Sequence, residues 1–153
     1  MAKFTTEQTV AIAAINQLIN EWATELDINN GLGRLDDLIT DDIVYMLGGI
    51  AKEGRAAVLQ NYRDREARLG ATPEGVPIHR HALSNLRVAF TSETSADIGF
   101  SLLYFSTLGI AKGADHADPA AFADVQMKVR ADQDGDWRIC FFDSGQSFRR
   151  VAS

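Results

Sequence analysis

Residues 78–90, IHRHALSNLRVAF, change the rhythm of the chain. Before them, apolar residues recur every three or four positions, as on a helix. From Ile78 to Phe90 they alternate with polar ones, as on a half-buried strand. The alternation returns over Ala96 to Leu108, Phe122 to Ala131 and Trp137 to Phe148. Gln133-Asp134-Gly135-Asp136 sets an Asp-Gly turn between the last two and joins them as a hairpin. Four long strands after a helical start predict an α+β domain, not an alternating α/β one.

Upstream, the spacing predicts a helix from about Thr6 to Asn29, with Ile12, Ile15, Ile19, Trp22 and Leu26 on its apolar stripe. Thr5 with Gln8 forms a capping box at its start, and Asn29-Asn30-Gly31 is its stop signal. Asp27 falls in the last turn, at the border of the stripe, where an acid opposes the helix dipole at a cost of tenths of a kcal/mol to ~1 kcal/mol. A short helix follows at about Gly33 to Leu38, then a strand over Asp41 to Leu47. Gly48-Gly49 and Lys52-Glu53-Gly54 bracket a tight connection or short strand. Arg55 to Leu69 is a third helix with Val58, Leu59, Tyr62 and Leu69 as its apolar set. Gly70 to Pro77 and Ile110 to Pro119 are loops. A curved sheet of this length must have its concave face covered, and the helices are the only elements to do it. Incomplete closure leaves a deep apolar cavity.

The 153 residues suit one domain spanning 1–153, with no repeat or composition shift to divide it. A net charge of −6 without a Lys/Arg run argues against nucleic acid or an anionic membrane as partner. The single Cys140 supports neither a disulfide framework nor a Cys-rich zinc site and reads as a small buried hydrophobe. No apolar stretch approaches the ~20 residues of a membrane span, and the N-terminus lacks a secretory pattern. The expected location is cytoplasmic. Long strands with one face uncovered by helices predict a homo-oligomer, dimer or trimer.

His79 and His81 share one face of their strand. With Asp27 they would also suit a facial metal triad. Asn85 and Arg87 share that face only if no bulge intervenes. Tyr104 shares a face with Phe100 and Leu102, as core or as pocket wall. Trp22 reads as pocket wall or core, and Tyr45 as a core tyrosine with its hydroxyl at a rim. His116, between Asp115 and Asp118, reads as a solvated loop residue. The spacing of Gly48, Gly49 and Gly54 is not that of a phosphate loop.

Trp22 and Asp27 late in the first helix are followed by Leu35-x-x-Leu38-x-x-Asp41-Asp42-x-Val44, Gly49-x-x-x-x-Gly54-Arg55 and His81-x-x-x-Asn85-Leu86-Arg87. This pattern, with the order of elements, resembles the nuclear-transport-factor-2-like superfamily over nearly the whole chain. Within it the chain is similar to the SnoaL-like group, which includes scytalone dehydratase and hexachlorocyclohexane dehydrochlorinase. The resemblance implies a cystatin-like cone: a curved, mostly antiparallel sheet wrapped around the N-terminal helices. It implies a catalytic pair, Asp27 as carboxylate and His81 as base. Tyr45 matches an aromatic position that helps polarise a substrate carbonyl through water. Trp22, His79, Phe100, Tyr104 and Gln146 are the expected substrate contacts. Two departures stand out. Gln146 takes the place of a basic residue of the dehydrochlorinase, and Tyr104 is the nearest polar candidate for a second histidine of the dehydratase.

A histidine with an unperturbed pKa of ~6.5 removes protons near neutrality. A carboxylate beside it fixes the tautomer and stabilises the imidazolium. The expectation is a lyase of the dehydratase type, without cofactor or metal, acting on a hydrophobic cyclic or aromatic small molecule. The rivals are an isomerase or polyketide-cyclase-like enzyme, a non-catalytic ligand-binding module, and the small subunit of a ring-hydroxylating dioxygenase.

Overall fold

The first helix, α1 (Thr6–Asn29), is entered through a capping box. The Gln8 amide donates to the Thr5 hydroxyl at 3.2 Å, and the Thr5 amide donates to the Gln8 side chain at 3.0 Å. The structure is a computed structural model and describes residues 3–73, 75–107 and 118–149. At the other end of α1, Asn30 is left-handed (φ 54°) and Gly31 follows at φ 79°. A Cβ on Gly31 would lie 2.8 Å from the Tyr62 ring, so both the turn and the close approach require glycine there. Buried Glu25 fixes this exit by accepting from the Gly33 amide at 2.6 Å and from the Asn29 side chain at 2.7 Å.

The elements that follow are α2 (Leu35–Leu38), β1 (Ile39–Leu47), β2 (Ile50–Glu53), α3 (Arg55–Gly70), β3 (His79–Ser92), β4 (Ser95–Ser106), β5 (Ala121–Ala131) and β6 (Trp137–Arg149). They build one six-stranded sheet in the order β2-β1-β6-β5-β4-β3. Every neighbour is antiparallel except β1 and β6, which run parallel. β1 begins two residues earlier than the expected Asp41, because Ile39 already pairs with Ile139. Gly48-Gly49, both at positive φ, close a two-residue hairpin that makes Ile50–Glu53 a strand. The sheet stays open, with β2 and β3 as its edges.

A bulge in β3 decides which side chains face inward. Ser84 pairs with Ser101 but Arg87 pairs with Gly99, so β3 carries one extra residue. Asn85 absorbs it at φ 57°. Before the bulge His79, His81 and Leu83 face the helices; after it Leu86, Val88 and Phe90 do. Without that shift of parity the second apolar half would point to solvent. Asn85 and Arg87 therefore do not share the His81 face, and the Arg87 guanidinium lies over Gly99 instead.

The core lies between α1, α2, α3 and the inner sheet face. Ile15, Ile19, Trp22 and Leu26 of α1 meet Ile98, Phe100 and Leu102 of β4 and Val125, Met127 and Val129 of β5. The outer face is mixed. Asp124, Gln126, Lys128 and Arg130 are exposed along β5, while Leu103, Phe122 and Phe148 are in register as one row across three strands. Cys140 is half-buried, not buried, because the register shift at Ile139 to Phe141 turns it to this outer side. No helix among the described residues is long and apolar enough to cross a membrane.

Candidate functional site

The end of α1 lies against the start of β3 and brings Asp27 to His81. The Asp27 carboxylate accepts from His81 Nδ1 at 2.6 Å through one oxygen and from the His81 backbone amide at 3.0 Å through the other. The acid that opposes the helix dipole is thus held by two donors. Arg80 adds a third stabilising contact, donating to the Asp27 carbonyl at 3.3 Å. Both partners of the pair are largely buried, 12% exposed for His81 and 13% for Asp27. With Nδ1–H committed to the carboxylate, the Nε2 lone pair of neutral His81 has no protein partner among the described residues. Burial lowers the His81 pKa below the ordinary value, with the Asp27 hydrogen bond and charge opposing it and Arg65 assisting.

His81 faces a cavity of about 180 Å³ lined by the sheet, α1 and α3. Its apolar wall is Leu26, Leu47, Leu102, Ala121, Ala123 and Phe142, with the Trp22 ring at one side. Tyr45, Tyr62, Tyr104, Arg65 and Ser144 are its polar lining beside His81. A dry cavity of about 150 Å³ accepts benzene, so this one fits a molecule of one ring with small substituents.

Tyr45 is fully buried and stacks on Phe142 at 4.3 Å between ring centroids. Its oxygen accepts from Trp22 Nε1 at 3.0 Å and shares a hydrogen bond of 3.1 Å with the Tyr62 hydroxyl. Two hydroxyl hydrogens are present in the tyrosine pair and one is used between them. Whichever direction that bond takes, one hydrogen remains for an acceptor in the cavity. Burial holds both phenols above their ordinary pKa, so they are neutral donors.

A second chain of contacts runs beside the pair, from α3 to β3 and β4. Arg65 Nη2 donates to His79 Nε2 at 2.7 Å, and His79 Nδ1 lies 2.5 Å from the Tyr104 hydroxyl. Arginine can only donate, so Nε2 is unprotonated and the His79 proton sits on Nδ1, pointing at Tyr104. Burial, then the Arg65 and His81 charges, push the His79 pKa down to about 4, which keeps this tautomer neutral. Tyr104 accepts from His79 and is left with its own hydrogen to give.

Of the expected substrate contacts, Trp22 and Tyr104 line the cavity. His79 and Phe100 do not. His79 lies behind Tyr104, 2% exposed, with both ring nitrogens occupied, which also removes it from any metal triad. Phe100 packs edge-on against Trp22 in the core. Gln146 lies in β6 opposite Ala123; its side chain, like His116, falls outside the described residues. No group of three His, Cys, Asp or Glu side chains suited to a metal occurs among the described residues. Arg65 and the pocket role of Tyr62 were not expected, yet the sequence carries a signal for Arg65. The inward positions of α3 run Val58, Tyr62, Arg65, Leu69 at steps of four, three and four, and an arginine at such a position needs a reason.

The fold and site together define an open α+β cone with a carboxylate–histidine pair in its hollow. The chain belongs to the SnoaL-like domain family, whose model matches residues 7–143. No curated protein matches it. Among solved structures it is similar to a putative scytalone dehydratase from Novosphingobium aromaticivorans, with 18% identity, 98% of this chain and 93% of that one covered, and a TM-score of 0.76. A hexachlorocyclohexane dehydrochlorinase, LinA-type3, from Novosphingobium barchaimii superposes with 17% identity, 94% and 91% coverage and a TM-score of 0.73. An uncharacterised protein with a cystatin-like fold from Caulobacter vibrioides gives 14% identity, 90% and 89% coverage and a TM-score of 0.68. The architecture is the cystatin-like cone of the nuclear-transport-factor-2-like superfamily.

Proposed function

We propose that this chain is a cofactor-independent lyase of the dehydratase type, acting on a hydrophobic one-ring molecule with a carbonyl group and a hydroxyl on the β carbon. The observation that carries this reading is the 2.6 Å contact between Asp27 and His81 Nδ1, with Nε2 left toward an apolar cavity. His81 Nε2 takes the proton on the carbon between the carbonyl and the carbinol. The electron pair forms an enolate, and Asp27 stabilises the imidazolium. The imidazolium then returns the proton to the leaving hydroxyl. The carbon–oxygen bond breaks, water departs and an α,β-unsaturated carbonyl remains. The hydrogen offered by the Tyr45–Tyr62 pair serves the carbonyl oxygen as charge gathers there. General acid–base catalysis of this kind supplies roughly 10²–10⁴-fold.

Incubation of the protein with a panel of one-ring β-hydroxyketones in D₂O tests it. Loss of one water, or deuterium uptake at the acidic carbon, is expected with the native protein and is expected to fall at least a hundredfold in His81→Gln. Isomerisation begins with the same proton removal but leaves the mass of water in the product. Turnover of any panel member by His81→Gln within tenfold of the native rate sinks the mechanism.

A further inference from the structure

The cavity wall next to His81 has a chemistry that the base does not use. Arg65 enters the hollow from α3 with no carboxylate in ion-pairing distance among the described residues. It has five N–H donors, and the structure engages one, on His79 Nε2. That same bond places the His79 proton on Nδ1 and makes Tyr104 an acceptor from His79. The free hydrogen of Tyr104 is thereby turned away from His79, and Tyr104 lines the cavity beside His81, 5.0 Å away between ring centroids. One guanidinium and one phenol, tied together through a neutral imidazole, thus sit at a single-ring hollow with the proton acceptor His81 beside them.

We infer that Arg65 and Tyr104, coupled through His79, form an oxyanion site, and that the ligand class of the cavity is a one-ring molecule bound as its phenolate or enolate. Such an anion gains the guanidinium's charge and two kinds of donor in a largely apolar hollow, where charge-assisted contacts are stronger than in bulk water. The inference deepens the proposed reaction, since an enolate is what His81 would generate, and Arg65 and Tyr104 would then share its oxygen with the hydrogen of the Tyr45–Tyr62 pair. The oxyanion site itself stands without that step, because Arg65, His79 and Tyr104 would hold a preformed anion equally well. The nearby Asp27 charge does not exclude an anion, because the two donors from His81 hold that carboxylate. His79 is here a positioning residue, acting on the ligand only through its neighbours.

The test uses 4-nitrophenol, a one-ring phenol whose anion is yellow and whose neutral form is not, so its spectrum reports which form is bound. Titrated against the native protein over a range of pH, it is expected to bind as the anion at least tenfold more tightly than as the neutral phenol. Its ionisation midpoint then falls by about one pH unit or more on binding. Arg65→Met is expected to abolish the preference, Arg65→Lys to keep part of it and Tyr104→Phe to reduce it several-fold. His81→Gln is expected to retain it. That last arm separates the two proposals: a failed base leaves the anion preference intact, and a failed oxyanion site leaves the base intact. Binding of the neutral phenol by the native protein as tightly as the anion, no binding at all, or an undiminished anion preference in folded Arg65→Met overturns the inference. The native measurement alone decides it if Arg65→Met does not fold.

Discussion

Replacing Asp27 by Asn keeps the size of the side chain and changes what it can accept. In the native protein both carboxylate oxygens are in use, one on the His81 backbone amide at 3.0 Å and one on Nδ1 at 2.6 Å. Asparagine has one oxygen for these two donors. With that oxygen on the backbone amide, its own N–H₂ faces Nδ1 and needs an acceptor there. The His81 proton moves to Nε2, and the lone pair that faced the cavity is lost. The cation suffers as well. A hydrogen bond to a charged group contributes about 1.5–3 kcal/mol, and each pKa unit corresponds to about 1.4 kcal/mol. The His81 pKa, already below its ordinary value through burial, is therefore expected to fall by a further ~1–2 units. Two-bond proton–nitrogen correlation spectra of the imidazoles, recorded across pH on nitrogen-labelled protein, read both quantities. The chain has three histidines, and His81→Gln assigns the signal. A native His81 protonated on Nε2, or an Asp27→Asn protein whose His81 pKa is unchanged or higher, would refute the geometry.

The remaining expectations concern stability. His79 has a folded pKa of about 4 against an ordinary 6.5, so between those values the unfolded chain binds the extra proton. Stability is fully present above pH 6.5 and is lost as pH falls toward 4. The loss is on the order of 3 kcal/mol; urea unfolding at several pH values reads it, and a His79→Phe protein should show a shallower acid limb. Tyr45→Phe leaves the buried Trp22 N–H without its acceptor and is expected to cost about 1–3 kcal/mol. A midpoint in urea unchanged from native would show that Trp22 had found another partner.

How far the site is legible in the sequence depends on the range of the contacts that make it. His79 and His81 share a face because side chains on a strand alternate, which needs no knowledge of any other element. Asp27 is conspicuous as an acid at the negative end of a helix. That its two oxygens meet the ring and the amide of a residue 54 positions later follows only from how α1 crosses β3. The direction of Arg87 turns on one extra residue at Asn85, and a period of two carries no mark of where such a residue is inserted. His79 illustrates the limit best. Its position on the inner face is a local matter, but its neutrality and its tautomer come from Arg65 on one side and Tyr104 on the other.

The sequence by itself determined the order of the long elements, the α+β class, the start and stop of the first helix and which residues share a face of β3 ahead of its bulge. Those follow from periodicity, capping and turn chemistry, which act over a few residues. Only the tertiary structure decided which polar groups meet in the hollow, how large that hollow is and which ring nitrogen is left bare. Those depend on sub-ångström placement of side chains from α1, α3, β1, β3 and β4, and hydrogen-bond direction is set by the partner as much as by the residue itself.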